Sequence, residues 1–455
     1  MKSVIICDME GLILKMNDGA EEVFGYKPDE LIGKKRVSIF SPGEIVIQNV
    51  LNWLKIANTK GVYEAKTNFI KKDGTLFNAK CKITPNFSNG KNNPQTGYCG
   101  ITEVIDEEVD VPISLVTKII KGVAITRAGF ASASLFPVLV IASYFAGVGD
   151  GLFSVLNLIL TIFGIITLQL FSNLYNDYFD VKHGTDGLNN EYFNAGMNSK
   201  ILEGAQISGG SRAIELGLIS LKGTKKLANI MLLFTLFSLP ILIYNSYIIT
   251  NSFSNTISAI VIAFIGVFLG YFYTAKPLRL SARKGLGELT IFLTFGPLLT
   301  LGTAFAISST TIDLFSTEFI NFILLGIPQG LLTTNILFIN QFPDYTSDKL
   351  ANKNNLVVLI GKKNSRWIYL LFLVSTFIFM YLFKPILSSN LINFNSVFYD
   401  SSLVFLFLFG IYIFYGLYKN YNKRELINSN IYTIHFQSIF SIIFILLLNS
   451  FFFNF

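Results

Sequence analysis

The chain has little charge and few cysteines for its length. Charged residues make up 14% of its 455 residues, whereas soluble globular proteins have about 25%. The three cysteines, Cys7, Cys81 and Cys99, form no CxxC pair, which argues against a zinc site and a disulfide framework. A net charge of +7 does not indicate a nucleic-acid partner, because the basic residues cluster in short loops between apolar runs.

Hydrophobic residues are abundant, at 51% of the chain, and they are unevenly distributed. Residues 1–110 contain no apolar run near the roughly 18 residues that suggest a membrane span, whereas such runs dominate after Thr126. The sequence therefore predicts a small soluble domain followed by a multi-pass all-α membrane bundle of about nine transmembrane helices. The predicted spans centre on 131–147, 152–175, 228–248, 257–275, 288–309, 317–341, 367–383, 401–418 and 431–453.

Basic loops alternate with loops that nearly lack Lys and Arg. The basic loops are 176–227, 276–287, 342–366 and 419–430. The intervening loops contain only Lys384. By the positive-inside rule, the basic loops and the N-terminal domain are expected in the cytoplasm, with the C-terminus outside.

A polar run, FSNLYNDYFDVKHGTD, follows the second predicted span. If the helix continues through this run, four side chains fall at i, i+3, i+4 and i+7, on one face: Asn173, Asn176, Asp177 and Asp180. An aspartate near the bilayer interior costs about 2.5–3.5 kcal/mol on insertion scales. This face is therefore expected to border a wet cavity or a cation.

A second polar run, INQFPDYTSDKLANKNN, follows the sixth predicted span. Its residues Asn340, Asp344 and Asp348 stand at i, i+4 and i+8, which again predicts one helix face. Two clusters of oxygen ligands suit Mg²⁺, which keeps waters or substrate phosphates in its coordination shell.

Basic residues accompany both carboxylate clusters. They are Lys182, Arg212, Lys276, Arg279 and Lys353. Carboxylates, a metal and cations together form a clamp for a diphosphate leaving group. A diphosphate at a membrane bundle suggests a polyprenyl diphosphate, whose chain the many Phe and Tyr residues could line.

These runs resemble the two aspartate-rich motifs of the UbiA superfamily of intramembrane prenyltransferases. NDYFDVKHGTD is similar to the first motif. INQFPDYTSDKLANKNNLVVLIG is similar to the second, in the form typical of the 1,4-dihydroxy-2-naphthoate prenyltransferase branch. Three further segments are similar to that branch in order: 126–139, 208–220 and 285–306. The resemblance covers about residues 120–455.

The resemblance implies a UbiA-like bundle and a role for each matching residue. Asn173, Asn176, Asp177 and Asp180 would hold one Mg²⁺ and part of the diphosphate, with Asp186 extending this motif. Asp344 and Asp348 would hold a second Mg²⁺, and Lys353 and Arg212 would contact phosphate oxygens. The implied reaction ionises an allylic polyprenyl diphosphate. An electron-rich ring carbon then attacks, and the ring carboxylate is lost.

The chain departs from the branch at a few positions after the second motif. Asn352, Lys353 and Asn354 stand where the branch usually has Gly-Lys-Arg, and Leu359 stands where it usually has Arg. Other acceptors on the same fold therefore stay open: a hydroxybenzoate, a homogentisate or a glycerol-phosphate lipid. A PAS-linked receptor or transporter, in which the carboxylates bind a coupling ion, is the alternative from another class.

The first 110 residues predict a small α+β domain of strand, turn, strand, short helices and three further strands. FGY at 24–26, ELIG at 30–33 and a KDG hairpin at 72–74 resemble a PAS domain. The domain has no histidine, which excludes histidine-ligated haem within it. Dimerisation or docking is favoured over small-ligand sensing.

Residues 111–128 are expected to form an amphipathic linker helix along the cytoplasmic interface, and 129–455 to form the membrane domain.

Overall fold

The computed structural model describes residues 2–9, 11–90, 92–149, 151–183, 213–214, 217–423 and 425–449. These residues divide into two compact units. One consists mainly of residues 2–126, and the other of residues 127–183 and 224–449.

The N-terminal unit contains a five-stranded antiparallel sheet of strand order β2-β1-β5-β4-β3. The strands are β1 (Lys2–Asp8), β2 (Ile13–Met16), β3 (Tyr63–Ile70), β4 (Leu76–Asn86) and β5 (Gly97–Val104). Between β2 and β3 lie α1 (Asp18–Phe24), α2 (Pro28–Leu31), α3 (Gly43–Ile45) and α4 (Leu51–Lys60). The predicted α+β pattern is confirmed.

Apolar side chains that alternate along the strands meet the helices in an aromatic core. Phe24 stacks on Phe40 with ring centroids 4.1 Å apart, and its ring edge contacts Phe69 and Phe77. The predicted hairpin joins β3 to β4. Its turn uses Gly74 at φ +90°, a backbone conformation that favours glycine.

A helix, α5 (Leu115–Thr126), ends the N-terminal unit. It packs on α3 and on the π-type turn Val46–Val50 of the same unit. One face of α5 is buried and the other is exposed.

The second unit consists of helices. In the described part of the chain, nine helical segments are long and apolar enough to span a membrane, as the sequence predicts. The helices that build them are α6 (Ser132–Val148), α7 (Val155–Lys182), α8 (Leu221–Thr250), α9 (Ser254–Phe272), α10 (Leu286–Phe295), α11 (Pro297–Ile307), α12 (Thr317–Asn340), α15 (Lys362–Asn390), α16 (Ser396–Asn420) and α17 (Leu426–Leu448). Two short helices, α13 (Tyr345–Leu350) and α14 (Leu356–Ile360), lie between α12 and α15.

The fifth span is broken at Gly296, where α10 ends and α11 begins with Pro297. Proline suits the first position of a helix because its missing N–H would be unpaired there. A Cβ on Gly296 would lie 2.7 Å from the carbonyl oxygen of Gly326 and 2.9 Å from the Cα of Gly330. Only glycine therefore permits this close approach of the broken span to α12, which is buried along most of its length.

Candidate active site

The first carboxylate cluster lies at the C-terminal end of α7. The predicted continuation of the second span is confirmed as far as Lys182, so the four polar residues share one helix face. Asp177 is buried, and one of its carboxylate oxygens lies 3.6 Å from a guanidinium nitrogen of Arg127. The side-chain oxygen of Asn176 accepts a hydrogen bond from the Thr274 hydroxyl at 2.9 Å. Asp186 and Arg212 lie outside the described residues.

The second cluster does not lie on one continuous helix, so that prediction was wrong. Helix α12 ends at Asn340, and α13 begins at Tyr345, with Asp344 as its N-cap residue. The break contains Pro343, which has no N–H to donate and disfavours helical geometry in the residue before it. Asp344 and Asp348 remain one helical turn apart, because the Asp348 N–H donates to the Asp344 carbonyl at 2.8 Å.

A short turn after α13 brings a cation to Asp348. The ammonium nitrogen of Lys353 lies 3.4 Å from one Asp348 carboxylate oxygen. The side-chain amide of Asn355 donates to the other oxygen at 2.7 Å. Asp348 is only 2% exposed, so this pairing compensates a charge that burial would otherwise make costly.

The two clusters interact electrostatically. Burial raises the pKa of Asp348, and the charge of Asp180 raises it further, while Lys353 opposes the shift. Burial alone would lower the pKa of Lys353, but the carboxylates of Asp348, Asp180 and Asp344 outweigh it and raise that pKa. The carboxylates at the end of α7 and around α13 therefore share one electrostatic environment, in which Lys353 stays a cation.

The other predicted cations among the described residues are Lys182, Lys276 and Arg279. Lys182 and Lys276 are exposed, and the Lys182 ammonium lies 5.7 Å from the Tyr178 ring centroid. Burial and the charges of Arg279 and Lys276 lower the pKa of His183, the residue that follows α7. Arg279 and Lys276 therefore add positive potential beside the first cluster.

A cavity of about 340 Å³ lies in the helical unit, and its lining includes asparagines from the helix faces of both clusters. Asn173, Asn176, Asn340, Arg127 and Tyr273 line its polar end. Its remaining wall is mostly apolar and comes from α6 to α12. Between the lining positions Asn176 and Thr161 on α7, the cavity extends for about 22 Å at 1.5 Å per residue.

Four residues of this site were missing from the predicted set. Arg127 pairs with Asp177, and the half-buried Tyr273 lies among charges of both clusters. Asn430 donates its side-chain amide to the Asn340 side-chain oxygen at 2.9 Å. Glu288 could have been suspected from the sequence, because a carboxylate inside an apolar span is costly unless it has partners.

Glu288 connects segments that surround the second cluster. It is buried at 3% exposure, and its Oε1 accepts hydrogen bonds from the Gln341 side chain at 2.9 Å and from the Leu356 backbone at 3.0 Å. These bonds join the start of α10 to the residue after Asn340 and to the first turn of α14. Glu288 therefore fixes both ends of the segment that contains Asp344, Asp348 and Lys353.

The donor set fits Mg²⁺ that shares its coordination with a substrate. Among the described residues, no group of three or more His, Cys, Asp or Glu side chains could hold a metal ion alone. The donors that converge here are carboxylate and amide oxygens, which Mg²⁺ accepts together with waters and phosphate oxygens. The buried carboxylates also pair with Arg127 and Lys353, the cation types that bind phosphates.

Comparison with known proteins identifies the family of each part of the chain. Residues 134–434 match the model of the UbiA prenyltransferase family, and residues 1–104 match that of a PAS domain. The chain is 28% identical over 239 residues to 1,4-dihydroxy-2-naphthoate octaprenyltransferase of Haemophilus influenzae, covering 50% of this chain and 67% of that protein. It is 26% identical over 249 residues to the Bacillus subtilis enzyme of the same name, covering 53% of this chain and 66% of that protein.

The chain thus spans about two thirds of the length of these two relatives. A solved UbiA homolog from Archaeoglobus fulgidus, bound to GPP and Mg²⁺, is 13% identical with a TM-score of 0.47, covering 72% of this chain and 99% of that one. The family match extends over more than half of the chain and includes both carboxylate clusters. The chain is a multi-pass membrane enzyme with an N-terminal PAS domain, and it belongs to the UbiA prenyltransferase family.

Proposed function

We propose that the enzyme transfers a polyprenyl group from an allylic polyprenyl diphosphate to 1,4-dihydroxy-2-naphthoate, in menaquinone biosynthesis. The observation that supports this most is the continuity of the cavity. Its polar end is lined by Arg127 and by the asparagines that share the helix faces of the carboxylates, and its apolar remainder suits a hydrocarbon chain. The names of the two relatives support the choice of acceptor.

In this proposal the diphosphate lies between the two clusters. Asn176, Asp177, Asp180, Asp344 and Asp348, with Asp186, would hold Mg²⁺, and Asn173 and Asn340 would contact the substrate. The bound metal would neutralise charge on the departing diphosphate. Lys353, Arg212 and Arg127 would bind phosphate oxygens, while Lys276 and Lys182 would attract the substrate from the aqueous side.

The apolar wall would then protect the reacting carbon. As the C–O bond to the diphosphate breaks, its electron pair leaves with the diphosphate, and the allylic fragment becomes cationic. Water in the cavity would capture that fragment, so an apolar wall that excludes water favours attack by the ring carbon. Loss of the ring carboxylate as carbon dioxide restores the aromatic ring.

The test uses the full chain in lipid nanodiscs with a radiolabelled polyprenyl diphosphate. The acceptors are 1,4-dihydroxy-2-naphthoate, a hydroxybenzoate, homogentisate and a glycerol-phosphate lipid. We expect Mg²⁺-dependent transfer to the naphthoate, with one carbon dioxide released per prenylated product. Transfer to another acceptor alone would overturn the naphthoate assignment, and equal transfer in excess EDTA would overturn the role of Mg²⁺.

We further propose that the PAS domain and the carboxylate clusters share the cytoplasmic side and that the C-terminus is outside. The alternation of basic loops supports this orientation. A phosphatase reporter that is active only outside the cytoplasm should be active when it is fused at the C-terminus. Activity of a cytoplasm-only reporter at that position would contradict the proposed topology.

The PAS domain is proposed to modulate turnover, through dimerisation, docking or a small ligand, without taking part in the chemistry. Its core contains aromatic packing, including Trp53 stacked on Tyr63 with ring centroids 5.7 Å apart. Deletion of residues 1–110 should leave an inserted enzyme that still transfers prenyl groups at an altered rate. Complete loss of transfer in a well-inserted truncation would show that the domain belongs to the catalytic machinery.

A further inference from the structure

Helix α5 has an apolar stripe that no described residue of its own unit covers. The stripe consists of Leu115, Val116, Ile119, Ile120 and Val123. Leu115 is 73% exposed and Val116 is 65% exposed. The five positions follow the spacing i, i+1, i+4, i+5 and i+8, which places them along one side of a helix. A continuous apolar stripe of this kind marks an interaction surface.

The opposite face of α5 is fastened to the PAS domain. The Gln48 side chain donates to the Pro112 carbonyl at 3.0 Å and accepts from the Ser114 N–H and the Thr117 hydroxyl, both at 2.9 Å. Lys121 forms an ion pair with Glu44. Because these contacts fix the rotation of α5, its apolar stripe points away from the PAS domain.

Chain connectivity indicates what covers the stripe. Helix α5 ends at Thr126, and the first membrane-spanning segment begins at Ala128. One residue, Arg127, separates them, so the end of α5 lies within about 7 Å of chain from the start of the span. The Val123 end of the stripe is therefore expected next to the bilayer.

The charges on α5 also suit a lipid surface. The helix contains no Asp or Glu, and its Lys118 is exposed, while Lys121 is paired with Glu44. An apolar stripe flanked by basic residues is typical of helices that lie in the plane of the membrane surface. Anionic headgroups attract such basic residues electrostatically.

A second copy of the chain is a poorer partner for this stripe. A helix of 12 residues is about 18 Å long and about 10 Å wide, so one side of it offers a few hundred Å² at most. A stable interface needs about 800 Å² from each partner. The stripe alone is too small for such an interface.

We propose that α5 lies in the headgroup layer of the membrane, with its apolar stripe towards the acyl chains, and thereby holds the PAS domain at the lipid surface. A change in the PAS domain that moves Gln48 or Glu44 would then change how α5 sits in the lipid. This inference concerns the membrane contact of α5 and does not depend on which acceptor is prenylated.

The test places a nitroxide spin label on each side of α5 in the full chain. The variants are Ile119→Cys, on the stripe, and Lys118→Cys, an exposed neighbour off the stripe, both in a Cys99→Ser background. Cys7 and Cys81 are buried, and a sample without an added cysteine shows whether they react. Each protein is reconstituted in vesicles of phosphatidylcholine and phosphatidylglycerol, and collisions with oxygen and with a water-soluble nickel chelate are measured.

A label in lipid collides mainly with oxygen, and a label in water collides mainly with the chelate. We expect oxygen to dominate at position 119 and the chelate to dominate at position 118. Equal chelate access at both positions would overturn the proposal. Strong spin–spin coupling between copies at position 119, abolished by dilution with unlabelled protein, would overturn it in favour of a second copy.

Discussion

The two carboxylate clusters meet at one site but are built differently. The first uses the end of an unbroken helix, α7, and its cation, Arg127, comes from 50 positions earlier in the chain. The second uses a break between α12 and α13, and its cation, Lys353, comes from five positions later. The first depends on the packing of separate segments, whereas the second is largely a local structure. A substitution in one cluster should therefore affect turnover and stability differently from a substitution in the other.

The largest effect is expected from the buried carboxylates. Asp177→Asn and Asp348→Asn each remove the charge of a proposed Mg²⁺ ligand. Each also removes the carboxylate that lies beside Arg127 or Lys353. Each should lower prenyl transfer about 10²–10³-fold, the range found when a preorganised electrostatic group is removed from an active site. The measurement is turnover in nanodiscs, normalised to inserted protein.

Asp400→Asn is the matched control for this pair. Asp400 forms an exposed ion pair with Lys384 and belongs to neither cluster. Its replacement should leave turnover unchanged, since exposed pairs contribute little. Full activity in either cluster variant would contradict the proposed role of that cluster.

The second largest effect is expected from replacing each of the two cations in turn. Arg127→Met removes the guanidinium beside Asp177, and Lys353→Met removes the ammonium beside Asp348. Both should raise the KM for the diphosphate. Each also leaves a buried carboxylate without its neighbouring cation, which costs about 1–3 kcal/mol in the free energy of unfolding.

A second variant at Arg127 sharpens this comparison. Arg127 holds φ at 52°, in the left-handed region, so Arg127→Gly removes the guanidinium and relieves the backbone together. If Arg127 mainly binds substrate, the Gly and Met variants should show the same rise in KM. Recovery of KM in the Gly variant would show instead that the backbone turn matters more than the charge.

A smaller effect is expected at Glu288, which supports only the second cluster. Glu288→Ala removes the acceptor used by Gln341 and Leu356, at an expected cost of about 1–3 kcal/mol in stability. Glu288→Gln keeps an acceptor oxygen and should retain most activity. Thermal unfolding and KM are measured for both variants. Equal loss in both would show that the charge of Glu288, and not its acceptor geometry, is what matters.

The same contrast explains how far the sequence could predict the site. Helical periodicity was sufficient for the span pattern and for the face of α7 up to Asp180, because nothing interrupts that helix. It failed at the second cluster, where Pro343 ends the helical geometry. Arg127 and Asn430 were missed because their partners are distant in sequence, and periodicity contains no information about such contacts.

The smallest effect concerns the turn that delivers Lys353 to Asp348. After α13, the Asn352 N–H donates to the Lys349 carbonyl at 3.3 Å, and the Lys353 N–H donates to the Asp348 carbonyl at 2.8 Å. This is the hydrogen-bond pattern of a Schellman motif, whose turning residue adopts the left-handed conformation. Asn352 does so at φ 54°. The position where the naphthoate branch usually has glycine is therefore filled by another residue type that tolerates this backbone.

Asn352→Gly should preserve both hydrogen bonds and the pairing of Lys353 with Asp348, so turnover and KM should stay near those of the parent chain. Asn352→Ala should cost about 1–2 kcal/mol, because its Cβ is disfavoured in the left-handed region. Its KM for the diphosphate should rise a few-fold, since the turn no longer holds Lys353 beside Asp348. Turnover and thermal unfolding of the two variants are compared in the same nanodiscs. Equal behaviour of the Gly and Ala variants would show that the second cluster does not depend on its local turn, and the contrast between the two clusters would fail.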